Sequence, residues 1–76
     1  MSNKRFAERL NQALDDIGVP EHSDERIEVF AKLVKIPKFK AEAMLDGIIM
    51  PDAELLEALA NEFEVSQDWL LGKEAA

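Results

Sequence analysis

Phe30-Ala31-Lys32-Leu33-Val34-Lys35-Ile36-Pro37-Lys38-Phe39-Lys40-Ala41-Glu42-Ala43-Met44-Leu45-Asp46-Gly47 is interrupted by one proline and ends on a glycine. On the amino-terminal side of the break, Ile27, Phe30, Ala31 and Val34 share one face at helical spacing. On the other side, Ala41, Met44 and Leu45 form the inner face of a second, shorter helix. Pro37 opens that helix, because a first helical position has no use for the missing N–H. Gly47 closes it, where a left-handed residue is wanted. Two helices therefore meet across about three residues. Ala31 and Ala41 are small where the helices cross, and Ile36 plugs the turn.

The same periodicity extends outward in both directions. Phe6, Leu10, Ala13, Leu14 and Ile17 form one stripe of a first helix, which Ser2 or Asn3 caps and Gly18 ends. After the polar connection Val19–Ser23, Ser23 or Asp24 caps the second helix. Past Gly47, the apolar connection Ile48-Ile49-Met50-Pro51 leads to Asp52, the cap of a fourth helix with Leu55, Leu56, Leu59, Ala60 and Phe63 inward. Ser66 caps a last short helix whose Trp69, Leu70 and Leu71 are closed by Gly72. The expected architecture is all-α: five short helices in one domain over 1–76, with the two-helix unit at about 24–46 and a frayed tail at 73–76.

Seventy-six residues leave room for one small core. Without cysteine there is no disulfide framework, thiolate nucleophile or Cys-based zinc site, which points to a cytoplasmic protein. A core of this size supplies only ~3–5 kcal/mol, so a partner chain is a natural source of further stability. Ile48, Ile49, Met50, Trp69 and Leu70 offer apolar surface for a weak homodimer through the C-terminal half. No apolar run approaches the length needed to span a bilayer, and the charged start, Lys4 to Arg9, is unlike a signal peptide.

Catalysis finds little footing. The single imidazole, His22, falls in a surface connection with no cysteine or serine elbow beside it. Asp15-Asp16 and Glu62/Glu64 do not face one another on a helix, so no metal is expected. Phosphate-binding glycine loops are absent, no cofactor is implied, and the chain reads as a non-enzyme.

Val65-Ser66-Gln67-Asp68-Trp69-Leu70-Leu71-Gly72 looks like the closing signature of a family whose members commonly carry a Val-Ser-x-x-Trp-Leu-Leu run before a glycine. Together with the two-helix unit, it makes the chain resemble the lambda-repressor-like, XRE-type helix-turn-helix family from Phe6 to Gly72. That resemblance implies a five-helix domain acting as a bacterial or phage transcription regulator. Such a regulator is usually a dimer on palindromic double-stranded DNA, with its third helix in the major groove. Glu25–Val34 would be the supporting helix and Pro37–Leu45 the recognition helix, placing Lys38, Phe39, Lys40, Glu42 and Ala43 at or near the groove. The chain departs from the family's pattern at three points. Lys35 stands where the turn usually has glycine, so a non-glycine residue would need a positive φ. Pro37 replaces a Ser or Thr cap, and Phe39 a small or polar residue.

Charge is distributed unevenly. The chain carries −7 overall, yet Arg26–Ala43 holds +5 against −2, while Met1–Glu25 nets −3 and Met44–Ala76 nets −7. A net-positive segment in an acidic chain is what contact with phosphates requires. Arg26, Lys32, Lys35, Lys38 and Lys40 are candidate backbone contacts, with Lys4, Arg5 and Arg9 nearby. Glu42 repels phosphate unless it accepts from a cytosine amine. Phe39 lies off the buried face of its helix, which suits either a thymine methyl or a protein partner. The latter belongs to a different class of function, an adaptor or antirepressor that keeps the scaffold without reading DNA. Asp52, Glu54, Glu57 and Glu64, opposite the apolar side of the fourth helix, serve solubility or mimic a phosphate row toward a basic protein.

Overall fold

The computed structural model describes residues 3–73. Among them the chain is all-helical, with five helices in order: α1 (Asn3–Asp16), α2 (Ser23–Val34), α3 (Lys38–Leu45), α4 (Ala53–Phe63) and α5 (Gln67–Leu70). The most extensive packing joins α2 to α3; α1 crosses α3 and reaches α5, and α4 bridges α2 and α5. The resulting body measures 29 × 23 × 20 Å.

Every helix contributes to one core. Phe6, Leu10 and Leu14 of α1, Phe30 of α2, Met44 of α3, Leu59 of α4 and Leu70 of α5 are completely buried. Phe30 and Phe63 stack with centroids 6.5 Å apart and planes 22° from parallel, joining the helix pair to α4. Ala31 and Ala41 are both buried where α2 and α3 approach, as their size suggested. Half-buried Ile36 packs on the core from the turn.

Helix starts follow the expected side-chain chemistry in the C-terminal half. Asp52 accepts from the Leu55 N–H at 2.8 Å, and Ser66 Oγ accepts from the Trp69 N–H at 3.0 Å. In the N-terminal half they differ. Ser23 is already helical, and His22 occupies the cap position of α2 without a side-chain bond. Pro37 precedes α3 rather than opening it: at ψ 150° it remains extended and its carbonyl accepts from Lys40 and Ala41. Ser2 and residues 74–76 lie outside the described residues.

Helix ends share a single device. Each of the five is followed by a residue at positive φ: Gly18, Lys35, Gly47, Glu64 and Gly72. Each also closes through a bond from the next N–H to the carbonyl five residues back: Val19 to Leu14, Ile36 to Ala31, Ile48 to Ala43, Val65 to Ala60 and Lys73 to Asp68. Lys35 has φ 58° and Glu64 φ 56°, the left-handed region that opposes a Cβ. The Lys35 conformation is the one its place in the turn demanded; Glu64 carried no such warning. Lys73, expected in a frayed tail, is instead part of the α5 closure.

Two apolar expectations need correcting. Ile17 continues the α1 stripe by spacing but is 51% exposed, because the helix stops at Asp16 and the chain turns at Gly18. The surplus assigned to the C-terminal half is largely consumed within the monomer. Leu70 is fully buried and Ile49, Met50 and Trp69 pack against the core, which leaves Ile48, at 67%, exposed. No helix among the described residues is long and apolar enough to cross a membrane.

Candidate nucleic-acid interface

The α2–α3 unit is fixed from behind by α1. Asn11 donates from Nδ2 to the carbonyls of Ala7 (2.9 Å) and Leu45 (3.3 Å), so it grips the end of α3. Its Oδ1 accepts from Arg26 of α2 at 3.1 Å. Asn3 adds a bond from Nδ2 to the Ile48 carbonyl at 3.2 Å. Gly47 makes this closeness feasible: a Cβ there would stand 3.3 Å from the Lys4 Cα and 3.4 Å from the Asn3 carbonyl oxygen.

Arg26, expected as a phosphate contact, is instead an internal strut. It is 5% exposed and all five of its N–H donors are engaged. Nε donates to the Pro20 carbonyl (2.9 Å), Nη1 to the Asn11 carbonyl and Oδ1 (3.1 Å each), and Nη2 to the Val19 carbonyl (2.9 Å) and Asp15 (2.5 Å). The α1–α2 connection leaves carbonyls without helical partners, and the planar five-donor group supplies a donor to two of them, Val19 and Pro20. The sequence held a signal: Arg26 lies one turn before Phe30, on the buried face of α2.

Arg5 and Arg9 also face away from the α2–α3 surface. The Arg9 guanidinium lies 4.9 Å over the Trp69 ring. Arg5 covers Gly72, where a Cβ would stand 2.3 Å from Arg5 Cγ. These two arginines, one turn apart on α1, hold α5.

The remaining candidates divide into two pairs. Lys32 and Lys38 both approach Glu28, with Nζ 3.8 Å from Oε1 and Oε2 respectively, although they come from different helices. Lys38 shares its groove with Asp24, Ile27, Glu28 and Glu42, three carboxylates of which Glu28 alone lies within 4.0 Å of its ammonium among the described residues. Lys35 and Lys40 have no carboxylate within 4.0 Å among the described residues; they line a groove with Val34, Ile36, Asp52, Glu54 and Leu55, between the turn and the start of α4. Phe39 is 75% exposed, the most exposed of the large apolar side chains among the described residues. Glu42 is exposed and Ala43 half-buried on α3, while Ala41 and Met44 anchor its inner side.

With Arg26 withdrawn, the remaining charges of α2, the turn and α3 are Lys32, Lys35, Lys38 and Lys40 against Asp24, Glu25, Glu28 and Glu42, so the positive balance that the sequence alone implied is cancelled. The acids of α4, Glu54, Glu57 and the following Glu64, are exposed. Among the described residues no group of three His, Cys, Asp or Glu is arranged to hold a metal ion. His22 is exposed. No protein-family model, curated protein or solved structure matches the chain.

Proposed function

We propose that the protein is a small DNA-binding transcriptional regulator of the bacterial or phage type, presenting α3 to the major groove. The observation that supports this best is the division of α3 itself. Ala41 and Met44 are fully buried against the core, while the first turn turns Lys38 and Phe39 outward beside Lys40 and Lys35. A short helix seated on a supporting helix across a three-residue turn has the shape that fits a groove about 12 Å wide. A single α3 offers little area, so a homodimer on a two-fold site accompanies the proposal.

Titration of mixed-sequence duplex by fluorescence polarisation between about 50 and 200 mM salt tests it, because phosphate contacts release counterions. Replacing Lys35 and Lys40 by Ala lowers the log–log salt slope by about 1.8, at roughly 0.9 for each phosphate contact. Binding that is insensitive to salt and to both substitutions refutes the reading.

The exposed Phe39 beside an acid-lined groove favours a second reading, a protein-binding adaptor that does not read DNA. In that case Phe39→Ala weakens partner capture by ~2 kcal/mol or more, as loss of an aromatic anchor does. Any weak DNA association survives that change.

A further inference from the structure

Among the described residues, Glu28 is the one carboxylate on the α2–α3 surface that meets ammonium groups from both helices. Its two oxygens stand 3.8 Å from Lys32 Nζ, one turn along α2, and 3.8 Å from Lys38 Nζ at the start of α3. A phosphate would call on the same two ammonium groups, at the shorter range of a charge-assisted hydrogen bond, about 2.7–2.9 Å. Every partner in the cluster is open to solvent: the side chains of Lys32, Lys38 and Glu28 are 80%, 66% and 52% exposed. Pairs this exposed add little to the fold, so the arrangement is poorly explained by stability. Asp24 and Glu42 line the same groove as Lys38 and add to the negative potential there.

Resting on the DNA-binding reading, we propose that Glu28 is an internal competitor for phosphate. It occupies Lys32 and Lys38 in the free protein and thereby lowers sequence-independent affinity. DNA that makes only backbone contacts meets two available lysines, Lys35 and Lys40. DNA whose base edges also engage α3 has further binding energy with which to displace Lys32 and Lys38 from the carboxylate. The effect is discrimination: the weak, unspecific mode is penalised in proportion to the phosphates it must recruit.

The test is a salt titration of mixed-sequence duplex with wild type, Glu28→Gln and Glu25→Gln. Glu25 is exposed on the same helix, lines a groove with Glu28 and Lys32, and among the described residues has no lysine within 4.0 Å, so its variant carries the same change in net charge beside the cluster without removing either ion pair. The wild type is expected to show a log–log slope of about −1.8, from two phosphate contacts, and Glu28→Gln about −3.6, from four. At about 50 mM salt Glu28→Gln binds roughly three- to tenfold more tightly than wild type, and Glu25→Gln changes affinity less than about twofold. In a Lys32→Ala/Lys38→Ala background the Glu28→Gln gain disappears. If wild type binds duplex but Glu28→Gln matches either wild type or Glu25→Gln in slope and affinity, the competitor role is overturned while the DNA-binding reading stands. If none of the three binds duplex at low salt, both fall together.

Discussion

Replacing Arg26 by Ala removes a group that serves three main-chain carbonyls at once, those of Asn11, Val19 and Pro20, together with Asn11 Oδ1 and Asp15. Water can take over part of this work. Asp15 is 51% exposed at its side chain and Pro20 is exposed, so those two partners rehydrate at little cost. The Asn11 and Val19 groups are half-buried. A hydrogen bond to a charged donor contributes ~1.5–3 kcal/mol, and breaking a buried charged pair ~3–5 kcal/mol. Discounting the solvent-accessible Asp15 partner leaves about 3 kcal/mol for Arg26→Ala. Since a staple-free domain of this length holds only ~3–5 kcal/mol in total, the variant is at the edge of unfolding at 25 °C. Arg26→Lys retains the charge but has three donors for five acceptors, so it recovers about half of the loss. Urea denaturation followed by far-ultraviolet circular dichroism measures both, the Trp69 emission providing a second probe of whether the transition is two-state. A loss below about 1 kcal/mol for Arg26→Ala, at an unchanged m-value, refutes the strut and returns Arg26 to the surface.

Lys35→Gly and Glu64→Gly each relieve a left-handed residue that disfavours a Cβ by ~1–2 kcal/mol, less the ~0.5–1 kcal/mol of added freedom in the unfolded chain. A net stabilisation of ~0.5–1 kcal/mol apiece is expected, read as a rise of several degrees in the thermal midpoint. Gly18→Ala and Gly47→Ala separate backbone strain from packing. Both glycines have positive φ, but a Cβ at Gly18 meets nothing within 4 Å whereas one at Gly47 presses on the main chain of α1. Denaturant unfolding should therefore show ~1 kcal/mol lost at Gly18 and clearly more at Gly47; equal losses would show that α1 gives way freely.

The helices were legible because their punctuation is local. Asp52 and Ser66 announce helix starts through their own side chains, and Gly18, Gly47 and Gly72 announce ends through their backbone freedom. Glu64 stops α4 equally well, yet nothing in its chemistry signals a left-handed residue; the stop is imposed by Val65 packing beyond it and by the bond to Ala60. Ile17 was misassigned for the related reason that spacing does not report where a helix ends. The site was less legible than the fold. Counting charge along a segment treats every cation as exposed, and Arg26 is the case in which that assumption breaks. Three of its five partners are main-chain carbonyls, two of them in a loop six and seven residues away, and carbonyls leave no mark in a sequence. The hold of Glu28 on Lys38 likewise spans two helices and depends on how α3 is seated.

The role of Asn11 has a thermodynamic consequence. Because one amide on α1 is bonded to the end of α3 and to the strut of α2, the relative placement of those two helices is set before anything docks on them. A ligand of α3 meets a preorganised surface, and the ordering entropy that commonly opposes recognition by short helices has already been met during folding. Association should then proceed with the protein backbone nearly unmoved, and its heat-capacity change should reflect the area covered rather than any coupled folding.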